Sequence, residues 1–62
     1  MTMDDIKEGR AYRFKSGVRH VIAIKGWASG RYVEWEPVPA DGAYRECPLR
    51  DFVRRALEEV AT

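Results

Sequence analysis

In 62 residues this chain has one cysteine and one histidine, and from Gly9 to Val33 it has no acidic side chain at all. Cys47 alone cannot close an intrachain disulfide, and Cys47 with His20 cannot complete a zinc tetrahedron. No metal and no cofactor is expected, so the fold must be held by its own apolar core or by a partner. Apolar runs are short: none approaches the ~18 residues that span a bilayer. The polar start, Met1 to Glu8, also lacks the basic and apolar regions of a secretion signal. The expectation is a cytoplasmic protein without membrane contact, and the free thiol fits a reducing compartment. Gly26 and Gly30 lack the strand-to-helix setting and the Lys-Ser/Thr ending of a phosphate-cradling loop, and no carboxylates cluster in a recognisable cleft. Enzymatic chemistry is therefore not expected.

What is present is the composition of a folded globule, 45% hydrophobic with two Trp, three Tyr and two Phe. A chain this short makes one domain, which buries only about 60% of the surface its unfolded form exposes. It divides into a polar leader (1–8), a β-meander (9–48) and a helix (49–60). Leu49, Phe52, Val53, Ala56, Leu57 and Val60 fall on one helical stripe, with Arg50, Asp51, Arg54, Arg55, Glu58 and Glu59 opposite. Pro48 suits the first position of such a helix.

The meander reads as three strands and a fourth over Ala43 to Cys47. Tyr12 and Phe14, then Val18, His20, Ile22 and Ile24, then Val33 and Trp35, alternate with polar or smaller residues. A three-residue loop Lys15-Ser16-Gly17 pairs Phe14 with Val18 and Tyr12 with His20. A four-residue loop, Trp27 to Gly30, pairs Ile24 with Val33 and Ile22 with Trp35. These registers put the apolar residues on one inner face, with His20 among them, and the terminal helix as their cover. The predicted fold is mainly β, an α+β arrangement of four or five antiparallel strands forming a small barrel or open meander with one C-terminal amphipathic helix.

On the outer face the same registers set Arg13 opposite Arg19, Lys25 opposite Tyr32, Ala23 opposite Glu34 and Val21 opposite Glu36. Two arginines across a ladder repel unless an anion lies between them. One reading is a protein-recognition surface of Trp27, Tyr32, Arg13 and Arg19, since tryptophan in a glycine-flanked loop is a frequent binding hot spot. The alternative is a nucleic-acid surface, with Arg10, Arg13, Lys15 and Arg19 on phosphates and Trp27 and Tyr32 stacking on bases. Simple cross-strand ion pairing with Glu34 and Glu36 would leave the face as a solvated surface. Self-association through a sheet edge is a further option for so small a core. A Cys47/His20 dyad would require the fourth strand to return beside the second.

The layout Gly9-Arg10-Ala11-Tyr12-Arg13-Phe14, then Arg19-His20-Val21-Ile22, Val33-Glu34-Trp35, and Cys47-Pro48-Leu49 followed by Phe52, resembles short uncharacterised proteins of bacteria and their phages. It also resembles SH3-like small barrels, over about residues 9 to 57. The resemblance implies a non-catalytic interaction module, an adaptor, inhibitor or accessory subunit, because that broad fold binds peptides, nucleic acids or other subunits.

Overall fold

The computed structural model describes residues 1–60, and its alternating segments form a single antiparallel sheet. β1 (Ala11–Phe14), β2 (Gly17–Lys25), β3 (Tyr32–Val38) and β4 (Arg45–Pro48) are joined as successive neighbours. A short β5 (Glu58–Val60) then returns to the free side of β1, so the order is β4-β3-β2-β1-β5 and the sheet is open, with β4 and β5 as its edges. Between them lies α1 (Leu49–Arg55), whose first N–H donates to the Arg31 carbonyl at 3.0 Å. The mainly β class with a helix in the C-terminal part is as expected. Among the described residues no helix is long and apolar enough to cross a membrane.

Tyr12, Phe14, Val21, Val33, Leu49, Phe52, Ala56 and Ile6 form the core, with Ile24, Trp35, Cys47 and Val53 packed against it. Phe52 is its centre: its ring meets Tyr12 edge-on at 5.7 Å and Phe14 at 4.7 Å between ring centres. Burying a side chain of this kind contributes about 1.5–3 kcal/mol. The Gly26 turn is fixed by geometry, since φ there is +83° and a Cβ would stand 2.9 Å from the Gly30 carbonyl oxygen.

Three expectations are corrected. The first concerns register. Only Lys15 and Ser16 intervene between the strands, so Phe14 faces Gly17, Arg13 faces Val18 and Tyr12 faces Arg19. Farther along, Ile24 does face Val33 as expected, but Trp35 faces Val21, because a bulge at Ile22 interrupts the β2–β3 ladder. One extra residue reverses every side chain on the near side of a bulge. Arg19 and Val21 therefore point to the inner face, while Val18 and His20 go to the outer one.

The second correction concerns the helix. It ends at Arg55, not Val60, and Glu58–Val60 pair with β1 instead. Local periodicity cannot separate a last helical turn from a three-residue strand, and tertiary pairing decides. As a strand, this segment sets Glu58 3.1 Å from Arg13 and Glu59 3.2 Å from Arg10, and the Leu57 N–H donates to the Arg13 carbonyl at 2.8 Å. Leu57, on the expected stripe, is exposed.

The third concerns the polar leader, which the sequence reading left outside the meander and its core. Ile6 is buried, and the Tyr12 hydroxyl accepts from the Lys7 N–H at 2.7 Å and donates to the Asp5 carbonyl at 2.8 Å. Beyond the bulge, β2 no longer has β1 beside it. The segment before β1 takes its place: Gly9 N–H donates to the Val21 carbonyl, Val21 N–H to the Arg10 carbonyl, and Ile24 N–H to the Glu8 carboxylate at 2.8 Å.

Candidate functional site

The shift in β2 has one large consequence: it turns a charged side chain toward the aromatic edge of the core. The Arg19 guanidinium carbon lies 4.1 Å from the ring centre of Phe14 and 4.1 Å from that of Trp35. Arg45, from β4, approaches the same tryptophan at 5.6 Å. A planar, weakly hydrated guanidinium can lie against rings in this way while its N–H edges stay available for hydrogen bonds.

Around this stack the surface is concave. A cleft of about 400 Å³ is lined by Phe14, Lys15, Ser16, Arg19 and Arg55. A second, of about 200 Å³, shares Ser16 and Arg19 with it and reaches Trp35, Pro37 and Arg45. Together they form a groove between the β1–β2 turn and the end of α1, crossing the top of the sheet's inner face.

The electrostatics of the groove are one-sided. Burial lowers the pKa of Arg19, and the nearby charges of Arg55 and Arg45 lower it further against the opposing pull of Cys47. Arg45 forms an exposed pair with Asp41 at 2.7 Å, which holds the Asp41 carboxyl down at about 2. Lys15, Arg19 and Arg55 have no carboxylate within 4.0 Å among the described residues. Apart from Asp41 on Arg45, these acids lie elsewhere: Glu34 beside Lys25 at 3.6 Å and Glu36 beside His20 at 3.2 Å, both on the outer face, and Glu58 and Glu59 on β5. The outer face is thus a mixed, ion-paired surface, whereas Lys15, Arg19 and Arg55 gather at the groove.

The residues proposed from sequence do not form one surface. Trp27 is 84% exposed at the far end of the β2–β3 hairpin, where Tyr32 faces Lys25. Arg13 and Arg19 lie toward the other end and on opposite faces, so the expected repulsive pair across the ladder does not exist. Arg13 and Arg10 are engaged by β5. Of the proposed nucleic-acid set, only Lys15 and Arg19 enter the groove. Phe14, Trp35, Arg45 and Arg55 were missed as site residues. Phe14 and Trp35 followed the inner alternation and were assigned wholly to the core, while the two arginines come from segments with balancing acids.

His20 and Cys47 are also separated. His20 is on the outer face, 3.2 Å from Glu36, whereas Cys47 faces Val33 on the inner side of β4, with β3 between the two strands. No Cys47/His20 dyad is assembled. Burial raises the Cys47 thiol pKa, with Arg19 opposing. The Trp35 indole N–H, beside that thiol, is buried without a hydrogen bond of proper geometry. No family model, curated protein or solved structure matches the chain.

Proposed function

We propose that this protein is a small non-catalytic binding module whose groove between the β1–β2 turn and α1 holds an anionic ligand. The observation that carries this reading is Arg19, packed between Phe14 and Trp35 and flanked by Lys15 and Arg55, with no carboxylate within 4.0 Å of the three among the described residues. A guanidinium held by packing has already lost much of its rotamer freedom, so binding costs less entropy than at a free arginine. The four-strand meander with β5 added beside β1 and a short helix packed on the core supports an SH3-like arrangement, which by itself assigns no ligand.

The test is a titration of isotope-labelled protein with short-chain polyphosphate, followed by backbone amide shifts. Changes are expected at residues 14–19, 35, 45 and 55. Changes spread equally over Arg31 and Arg50 at the other end of the sheet would overturn the reading.

One observation favours a second reading, recognition of a protein partner at the opposite end. Trp27 is 84% exposed, and Tyr32 borders an open depression with Glu46, Cys47 and Pro48. A large exposed aromatic on a tight turn contributes contact area at little conformational cost. Trp27→Ala should then abolish capture of that partner and leave thermal stability unchanged.

A further inference from the structure

We infer that the ligand of the groove is single-stranded nucleic acid, with Lys15, Arg19 and Arg55 on phosphates and an unpaired base laid against the part-exposed Trp35 and Arg19 at the open edge of the stack. The inference rests on the anion-binding reading above and adds the class of ligand. Three features of the structure select it.

The first is the combination of cations with a flat surface. Carboxylate recognition needs only the guanidinium edges, whereas here those edges are bordered by two rings and a guanidinium plane. Bases stack on aromatic faces and on arginine planes, at about 1–3 kcal/mol each, while phosphates take the N–H edges. Arg19 and the part-exposed Trp35 bring both to one place, above a Phe14 ring that is itself buried.

The second is the nature of the walls. Phe14, Arg19 and Trp35 belong to β1, β2 and β3, each of which has a strand on both sides. An extended acidic peptide lying over these three strands would find no free edge there, the nearest being that of β4 beyond Arg45, and so would lose the backbone ladder that supplies much of the affinity in such complexes. A phosphodiester chain needs no such ladder.

The third is access. The stack lies in a recess beside the Lys15-Ser16 turn, bounded by Arg55 on one side and by Pro37 and Arg45 on the other. An unpaired base can enter and stack there, but a base within a duplex is already stacked on both faces. Glu34 and Glu36, which would repel a nucleic acid, are on the opposite face of the sheet, and Asp41 at the Arg45 side of the recess is paired with that arginine at 2.7 Å.

The experiment is fluorescence anisotropy of the full chain with end-labelled oligothymidylate and oligouridylate at 50 and 200 mM salt. Competitors are an unlabelled duplex and a glutamate-rich peptide of matched charge. Three phosphate contacts on a single strand give a log–log salt slope of about −2, which is about a 20-fold loss of affinity between the two salts. Lys15→Glu and Arg55→Glu alter exposed side chains and keep the fold. Each should weaken binding and flatten the slope by about 0.7, while Arg31→Glu and Arg50→Glu leave it unchanged. Equal competition by duplex overturns the single-strand assignment. No oligonucleotide binding at 50 mM, with the acidic peptide displacing polyphosphate from the groove, overturns the nucleic-acid inference and leaves the anion site standing. If neither oligonucleotide, peptide nor polyphosphate binds, both fall.

Discussion

Arg19 rests its guanidinium carbon 4.1 Å from the ring centre of Trp35, and the contact gives one side chain two duties. Its stem and plane fill the edge of the core, and its N–H groups face the groove. Long cationic side chains can cover apolar surface with their stems, so losing the charge and losing the packing are separable changes.

Arg19→Met retains the packing and removes the charge. It should change unfolding free energy by less than about 1 kcal/mol and abolish polyphosphate binding. Arg13→Glu, on the other face, sets a second acid beside Glu58 and should cost under about 1 kcal/mol with polyphosphate binding intact. Urea denaturation with the amide-shift titration reads both. If Arg13→Glu weakens binding more than Arg19→Met does, the groove is misassigned.

Tyr12 ties the leader to the core through its hydroxyl, so Tyr12→Phe should destabilise the protein by about 1–3 kcal/mol. It also carries a pH dependence. The phenol is raised above its ordinary value of 10.0, chiefly by burial, with the Lys7 N–H opposing. The folded state thus holds the proton more tightly than the unfolded chain. The stability this confers is complete below pH 10 and is lost as pH climbs through the folded value. Thermal melts from pH 8 to 11.5 should show an alkaline fall in the native protein that is smaller in Tyr12→Phe; identical slopes would remove this role.

Cys47 should react sluggishly with iodoacetamide near pH 7, because partial burial raises its pKa and keeps the thiolate scarce. Labelling should accelerate in denaturing urea. Rapid reaction of the folded protein at neutral pH would show an activated thiol that this packing does not provide.

Much of the sheet was legible beforehand because it depends on short-range pattern. Ile24 opposite Val33 followed from the glycines that close the Gly26–Gly30 turn, and the burial of Tyr12, Phe14 and Val33 followed from strict alternation. The start of α1 after Pro48 came from the same kind of local signal, as did the assignment of Leu49 and Phe52 to its buried side.

The chain by itself therefore determined a mainly β fold, the Tyr12, Phe14, Val33, Leu49, Phe52 and Ala56 part of its core, and the sorting of charge along the sequence, but not the burial of Ile6 and Val21. Only the tertiary structure decided that β2 carries a bulge at Ile22, that Glu58–Val60 leave the helical pattern to pair with β1, and that Arg19 faces inward. The reason is physical. A bulge costs one residue of register and is stabilised by distant groups, here the Gly9 and Arg10 backbone and the Glu8 carboxylate. A three-residue strand has too little local preference to form without a neighbour. The groove is the joint product of those two events, assembled from segments that no local window contains.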